Sequence, residues 1–138
     1  MRCIFIDTQY LIALADKSSD LHQRAKDVSQ RLGVFSMITS EMVLTELLNY
    51  FSERGDYFRQ MAISIVNTLR NDPNTEIVPQ TPELFENALS LYQQRMDKGY
   101  SLTDCASMLI MRERGLVDVL TYDKHFKQEG FNPMLRKN

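Results

Sequence analysis

Short apolar runs alternate along the chain with longer segments in which apolar residues recur at helical spacing. The apolar runs predict four buried strands, at residues 3–6, 34–38, 76–78 and 117–120. The first and last runs are almost continuously apolar, as is typical of central parallel strands that are covered on both faces. Residues 131–135 are expected to add a strand at one edge of the sheet.

Between these runs, the apolar spacing predicts a set of helices. The predicted helices span residues 8–15, 21–32, 40–54, 57–70, 82–97, 102–114 and 126–129. Gly33, Gly99 and Gly115 are expected to end the second, fifth and sixth helices, because glycine is favoured just past a helix. Strands that alternate with helices predict an α/β fold. We expect a three-layer sandwich, with a parallel sheet of about five strands flanked by helices.

The composition is that of an ordinary globular protein. The 138 residues are 43% hydrophobic and 25% charged, which excludes a disordered chain and fits one domain spanning residues 1–138. Sixteen basic residues face 18 acidic ones, so the net charge of -2 does not indicate a nucleic-acid binder. Cys3 and Cys105 lack zinc-ligand spacing, and no apolar stretch could span a bilayer. We therefore expect buried, reduced thiols in a cytoplasmic protein without a membrane segment.

Three aspartates fall near the carboxyl ends of predicted strands, where open α/β sheets bind ligands. Asp7 directly follows the first strand, Asp123 lies just beyond the fourth, and Asp104 opens the helix before that fourth strand. Each has a local alternative role. Asp7 and Asp123 can cap the helices that follow them, and Asp104 fits a capping box with Ser101. Taken singly, each aspartate is open to both interpretations.

Glu46 has a less obvious local role. It lies at helical spacing from Met42, Val43 and Tyr50, on or beside the apolar face of the third helix, with no lysine or arginine three or four residues away. A carboxylate there is costly unless it ligates a cation or reaches water at the rim. Four carboxylates gathered at one edge would repel each other. A hard divalent cation, Mg²⁺ or Mn²⁺, would relieve that repulsion.

Four stretches of the chain together resemble the PIN domain of bacterial VapC-like toxins. They are FIDTQYLIALAD, SEMVLTELLNYF, DKGYSLTDCASMLIMRERG and VLTYDKHF, in the order and at the spacing of that family. The resemblance implies a five-stranded parallel sheet flanked by helices. It also implies the activity of an endoribonuclease that depends on Mg²⁺ or Mn²⁺.

The resemblance extends to individual residues. The catalytic and metal-binding acids of the family match Asp7, Glu46, Asp104 and Asp123. The three aspartates would hold one or two cations, and Glu46 would position or deprotonate the attacking water. Many members carry Asn or Ser after the first aspartate, where this chain has Thr8. This departure concerns substrate contacts and not metal binding.

Three hydroxyl side chains lie close to these acids in the sequence. Thr8, Ser101 and Thr121 are candidates for hydrogen bonds to the carboxylates or to a phosphate oxygen. Thr121 stands where the family often has a hydroxyl before its last acid. The alternative for all three is ordinary capping and turn formation.

The resemblance also implies partners. RNA is the expected substrate, a small antitoxin protein a possible partner, and a homodimer the expected assembly. The toxin of a type II toxin–antitoxin pair is the favoured function. The alternatives are a housekeeping RNA-processing nuclease and a non-catalytic metal- or RNA-binding module.

Further side chains near the motifs can contact RNA, although simple solvation is the favoured alternative for each basic residue and core packing for at least one tyrosine. The basic candidates are Arg2, Arg95, Lys98, Arg112 and Lys124, and the candidates for base stacking are Tyr10, Tyr100 and Tyr122. His22 and His125 are expected to be surface residues without a catalytic role.

Overall fold

The computed structural model describes residues 1–136 and places five parallel strands in one sheet. The strands are β1 (Cys3–Ile6), β2 (Ser36–Ser40), β3 (Thr75–Val78), β4 (Asp118–Leu120) and β5 (Asn132–Pro133). Their order across the sheet is β3-β2-β1-β4-β5, and each neighbouring pair is parallel. The predicted parallel sheet of about five strands is confirmed.

Helices connect the strands and flank the sheet. They are α1 (Thr8–Ala15), α2 (His22–Leu32), α3 (Glu41–Tyr50), α4 (Asp56–Asn71), α5 (Pro82–Gln94), α6 (Leu102–Glu113) and α7 (Lys124–Gln128). α1 packs against α2, α3 and α4, whereas α6 packs against α3, α5 and α7. The predicted α/β sandwich is therefore confirmed. Among residues 1–136, no helix is both long and apolar enough to cross a membrane.

The centre of the sheet forms the core. Ile4, Phe5 and Ile6 of β1 and Val119 and Leu120 of β4 have no exposed surface. Helices cover both faces of these strands, so side chains on both faces are buried beyond the first residue of each strand, and a continuous apolar run is favoured. Burying one such side chain contributes about 1.5–3 kcal/mol.

Strand β2 lies two residues later than its apolar run predicts. Val34 is 78% exposed, whereas the polar residues Thr39 and Ser40 end the strand and are fully buried. The Thr39 hydroxyl donates a hydrogen bond to the Ile6 carbonyl (2.9 Å), and the Ser40 hydroxyl accepts one from the Val43 amide (3.2 Å). These bonds offset the cost of burying the two hydroxyls. A hydrophobic pattern does not reveal them.

Helices α3 and α5 are shorter than predicted. α3 begins after Ser40, because that residue caps the helix, and it ends at Tyr50, whose carbonyl accepts a bond from the Arg54 side chain. α5 ends at Gln94, five residues before Gly99. By contrast, Gly33 directly ends α2 as predicted.

The two thiols differ in exposure. Cys105 is buried in α6, but Cys3 is exposed. The prediction of two buried cysteines is wrong for Cys3, because it opens β1 at the unprotected amino end of the sheet. Both cysteines are free thiols.

Candidate functional site

Asp7 is a buried carboxylate at the carboxyl end of β1. It occupies the position before α1 but makes no capping hydrogen bond, so its alternative role as a side-chain cap is not realised. Its Oδ2 instead accepts a 2.8 Å hydrogen bond from the Thr121 hydroxyl, beyond the end of β4. Only 4% of Asp7 is exposed. Burial, together with the charge of Asp104, raises the pKa of Asp7 to about 7.

Asp104 lies in the first turn of α6 and forms the predicted capping box. The Asp104 amide donates to the Ser101 hydroxyl (3.0 Å), and the Ser101 amide donates to Asp104 Oδ2 (3.1 Å). Burial raises the pKa of Asp104, and the charge of Asp123 raises it further. Capping and a place in the acidic site are therefore compatible for this residue.

Asp123 caps α7 and also faces the site. Its Oδ1 accepts a 2.9 Å hydrogen bond from the His125 amide. The Asp123 amide in turn donates to the Thr121 hydroxyl (3.1 Å). Because this hydroxyl also donates to Asp7, Thr121 links the acid after β1 to the acid after β4.

His125 belongs to the same cluster, although the sequence predicts a surface residue without a role. Its Nδ1 lies 3.4 Å from Asp104 Oδ2 and 3.3 Å from Asp123 Oδ1. Asp104, Asp123 and His125 each offer one metal-binding atom, and these atoms all lie within 4.8 Å of one another. The position of His125 two residues after Asp123, in a helix that Asp123 caps, is the only sequence signal for it.

Asp7 and Glu46 stand beside this compact group. Glu46 is half-buried on α3, and its negative charge helps to raise the pKa of Asp7. The acids of the four motifs thus interact electrostatically, but Asp7 and Glu46 lie outside the tightest donor group. Of the three hydroxyl residues, Thr121 contacts the carboxylate of Asp7, whereas the Ser101 hydroxyl only completes the cap.

The residues present fit a divalent cation. Among residues 1–136, no lysine or arginine forms an ion pair with Asp7, Asp104 or Asp123. Thr8 follows Asp7 in the chain. Its hydroxyl is buried and has no hydrogen-bond partner among the described residues 1–136. Carboxylates held close together without a lysine or arginine are unfavourable unless a cation joins them. Carboxylate and imidazole donors are ligands that divalent metals accept.

Three of the five basic candidates form ion pairs with acids outside the cluster. Arg95 and Arg112 both bind the buried carboxylate of Glu129. Arg2 pairs with Asp118, at the amino end of β4 and thus at the opposite edge of the sheet. Each of these three arginines is thus paired with an acid that is distant in the sequence.

The tyrosines divide in the same way. Tyr10 and Tyr100 are buried, with their hydroxyls bonded to Ser29 and Glu129. Tyr122 is 42% exposed next to Asp123 in the chain, and the Arg136 guanidinium lies over its ring at 4.5 Å. Lys124, on the other side of Asp123, is also exposed.

This combination of fold and acidic site agrees with a family assignment. The family model of the PIN domain matches residues 4–132, and the chain belongs to the PIN domain family. Nucleases of this family generally use a divalent metal.

One characterised protein is similar over nearly the whole chain. The 23S rRNA-specific endonuclease VapC20 of Mycobacterium tuberculosis (strains CDC 1551 / Oshkosh and H37Rv) is 26% identical over 128 residues, which are 93% of this chain and 95% of that protein. The crystal structure of VapC20, described as a sarcin-ricin loop cleaving toxin, matches with a TM-score of 0.83 at 24% identity. The match covers 94% of this chain and 96% of that chain, so the two proteins share a fold.

Proposed function

We propose that this protein is a divalent-metal-dependent endoribonuclease and the toxin of a type II toxin–antitoxin pair. The observation that carries the proposal is the buried Asp7, whose pKa is raised to about 7 beside further carboxylates. Within residues 1–136, no lysine or arginine forms an ion pair with it. Such a site is poorly suited to packing and well suited to a cation. Membership of the PIN domain family and the likeness to VapC20, a named endonuclease, support the reaction class.

In this proposal Asp7, Asp104 and Asp123 hold the cation, with Mg²⁺ or Mn²⁺ as the candidates. When bound, the cation supplies positive charge for the phosphate in the transition state and lowers the pKa of the attacking water. The hydroxyl of Thr121 orients two of the holding groups, since it bonds Asp7 Oδ2 and the Asp123 amide.

Glu46 is the proposed general base. It is half-buried, and its negative charge acts on Asp7 by raising the pKa of that carboxyl. It would accept the proton of the water that attacks the scissile phosphorus. Asp104 would contribute from a fixed position, because its capping box restricts its rotamer.

Exposed side chains next to Asp123 are suited to an RNA substrate. Lys124 offers a cation for the phosphate backbone, and Tyr122 offers an aromatic face on which an unpaired base can stack. VapC20 is named as 23S rRNA-specific and as sarcin-ricin loop cleaving, and we propose a structured ribosomal RNA loop as the first substrate to test.

The activity is tested with untagged protein and an RNA that contains the sarcin-ricin loop. Cleavage is expected with Mg²⁺ or Mn²⁺, and it should be lost in EDTA and in Asp7→Asn. The exposed Asp97, which is outside the site, provides the control Asp97→Asn with the same change of charge. Cleavage that survives both EDTA and Asp7→Asn would overturn the proposal. Metal binding without cleavage of any RNA would favour a non-catalytic binding module.

We also propose a small antitoxin as partner, a homodimer as the assembly and the cytoplasm as the location. Co-expression with the product of a small neighbouring reading frame should suppress the ribonuclease activity, and light scattering should give twice the mass of one chain. If no neighbouring gene product inhibits the enzyme, the housekeeping RNA-processing nuclease is the better interpretation.

A further inference from the structure

One of the two histidines of the chain, His125, lies at the acidic edge of the sheet. His125 directs Nδ1 at two carboxylates that belong to different elements, Asp104 of α6 and Asp123 before α7. This contact involves Asp104 and Asp123, and not Asp7 or Glu46. The cluster therefore contains a nitrogen donor in addition to the acids assigned above.

The backbone of α7 and the ring of Tyr100 hold the imidazole in this orientation. Asp123 binds the His125 amide at 2.9 Å and thereby sets where α7 begins. The ring packs against Tyr100, with the ring centres 5.2 Å apart, and the Tyr100 hydroxyl is tied to Glu129 at 3.1 Å. Nε2 faces Gly99. A side chain fixed in this way does not have to lose rotamer freedom to bind a ligand.

The separations between the donor atoms suit ligands of a single ion. Adjacent ligands of an octahedral ion with bonds of about 2.1 Å lie about 3 Å apart, and opposite ligands about 4.2 Å apart. The Nδ1 atom lies 3.3 and 3.4 Å from the two carboxylate oxygens, and the whole group fits within 4.8 Å. Small movements of the side chains would bring these three atoms around a cation.

We propose that His125 Nδ1 is a ligand of the catalytic cation, together with Asp104 and Asp123, and that it makes the site select Mn²⁺ over Mg²⁺. The inference rests on the proposed function, because it concerns the cation of that same site. Imidazole binds transition metals well, whereas Mg²⁺ prefers oxygen ligands. A site built from carboxylates alone would discriminate less between these two ions.

The decisive measurement is the pulsed electron paramagnetic resonance spectrum of Mn²⁺ bound to the untagged protein. We expect hyperfine coupling to a directly bound imidazole nitrogen in the wild type and its loss in His125→Gln. The chain has 2 histidines, so His22→Gln is the matched control. His22 lies in α2 with its Nδ1 on the Ala13 carbonyl, and this variant should keep the coupling.

Binding titrations give a second measurement. His125→Gln should weaken Mn²⁺ binding by at least about tenfold and Mg²⁺ binding much less, so the preference for Mn²⁺ should fall. Circular dichroism would establish that the variant is folded. Wild-type protein that binds Mn²⁺ and cleaves RNA but shows no nitrogen coupling would overturn the inference and leave the proposed function standing. Failure of the wild type to bind Mn²⁺ or Mg²⁺ would overturn both.

Discussion

Replacing Asp7 with asparagine should stabilise the metal-free protein at high pH. Asparagine has almost the same shape, and its amide oxygen can still accept the hydrogen bond from Thr121. It carries no charge, however. Burial of the wild-type carboxylate, together with the nearby charge of Asp104, raises the pKa of Asp7 from 3.8 to about 7. The variant removes the cost of ionising this group inside the protein.

The sign and size of the change in folding stability follow from the pKa shift of Asp7. The folded state holds the Asp7 proton more tightly than the unfolded state, so wild-type stability falls as the pH rises from about 4 to about 7. A shift of about 3 pH units corresponds to about 4 kcal/mol at 1.4 kcal/mol per unit. For a chain of this size, that is a difference in Tm on the order of 10 °C.

Urea unfolding in EDTA, followed by circular dichroism between pH 4.5 and 8.5, measures the effect. The advantage of Asp7→Asn over the wild type should be smallest at the acidic end, widen as the pH rises and level off above about pH 7. Asp97→Asn, at an exposed aspartate, should follow the wild type throughout. Added Mn²⁺ should stabilise the wild type much more than Asp7→Asn. A stability difference that does not change with pH would refute the electrostatic description of the site.

Three other variants test separate parts of the structure. Thr121→Val removes the hydroxyl that links Asp7 to the Asp123 amide, and RNA cleavage rates should fall by about 10- to 100-fold while Thr121→Ser retains most activity. Glu129→Gln breaks the contacts of a buried carboxylate with two partly exposed arginines, and urea unfolding should show a loss of about 2 kcal/mol. Tyr122→Ala removes an exposed ring, and fluorescence anisotropy with uncleaved RNA in EDTA should show binding weakened by about 1 kcal/mol, roughly fivefold. An unchanged cleavage rate in Thr121→Val, an unchanged free energy of unfolding in Glu129→Gln or an unchanged RNA affinity in Tyr122→Ala would contradict the role given to that residue.

The aspartates at the site were predictable because their positions depend on simple geometry. Asp7 and Asp123 follow strands that are recognisable as continuous apolar runs, and parallel strands end at the same edge of a sheet. The capping box of Asp104 was predictable for the same reason, since it depends on residues three apart in the chain. Local capping and participation in the acidic cluster are not alternatives, because one carboxylate can do both.

The features that local sequence patterns did not predict depend on contacts between residues that are far apart in the chain. The polar end of β2 is stabilised by a bond from Thr39 to the Ile6 carbonyl, 33 residues away. Arg95 forms an ion pair with Glu129, which is 34 residues away. Neither partner can be identified from a local pattern of polar and apolar residues.

The sequence by itself determined the parallel sheet, its central strands and the edge at which the acids collect, because hydrophobic period and chain direction are local properties. The tertiary structure decided which side chains meet at that edge. It raised the pKa of Asp7 through burial, joined two acids through Thr121, and turned His125 toward Asp104 and Asp123 by packing it on Tyr100. Burial and side-chain direction depend on segments that are remote in the chain, and only the folded arrangement brings those segments together.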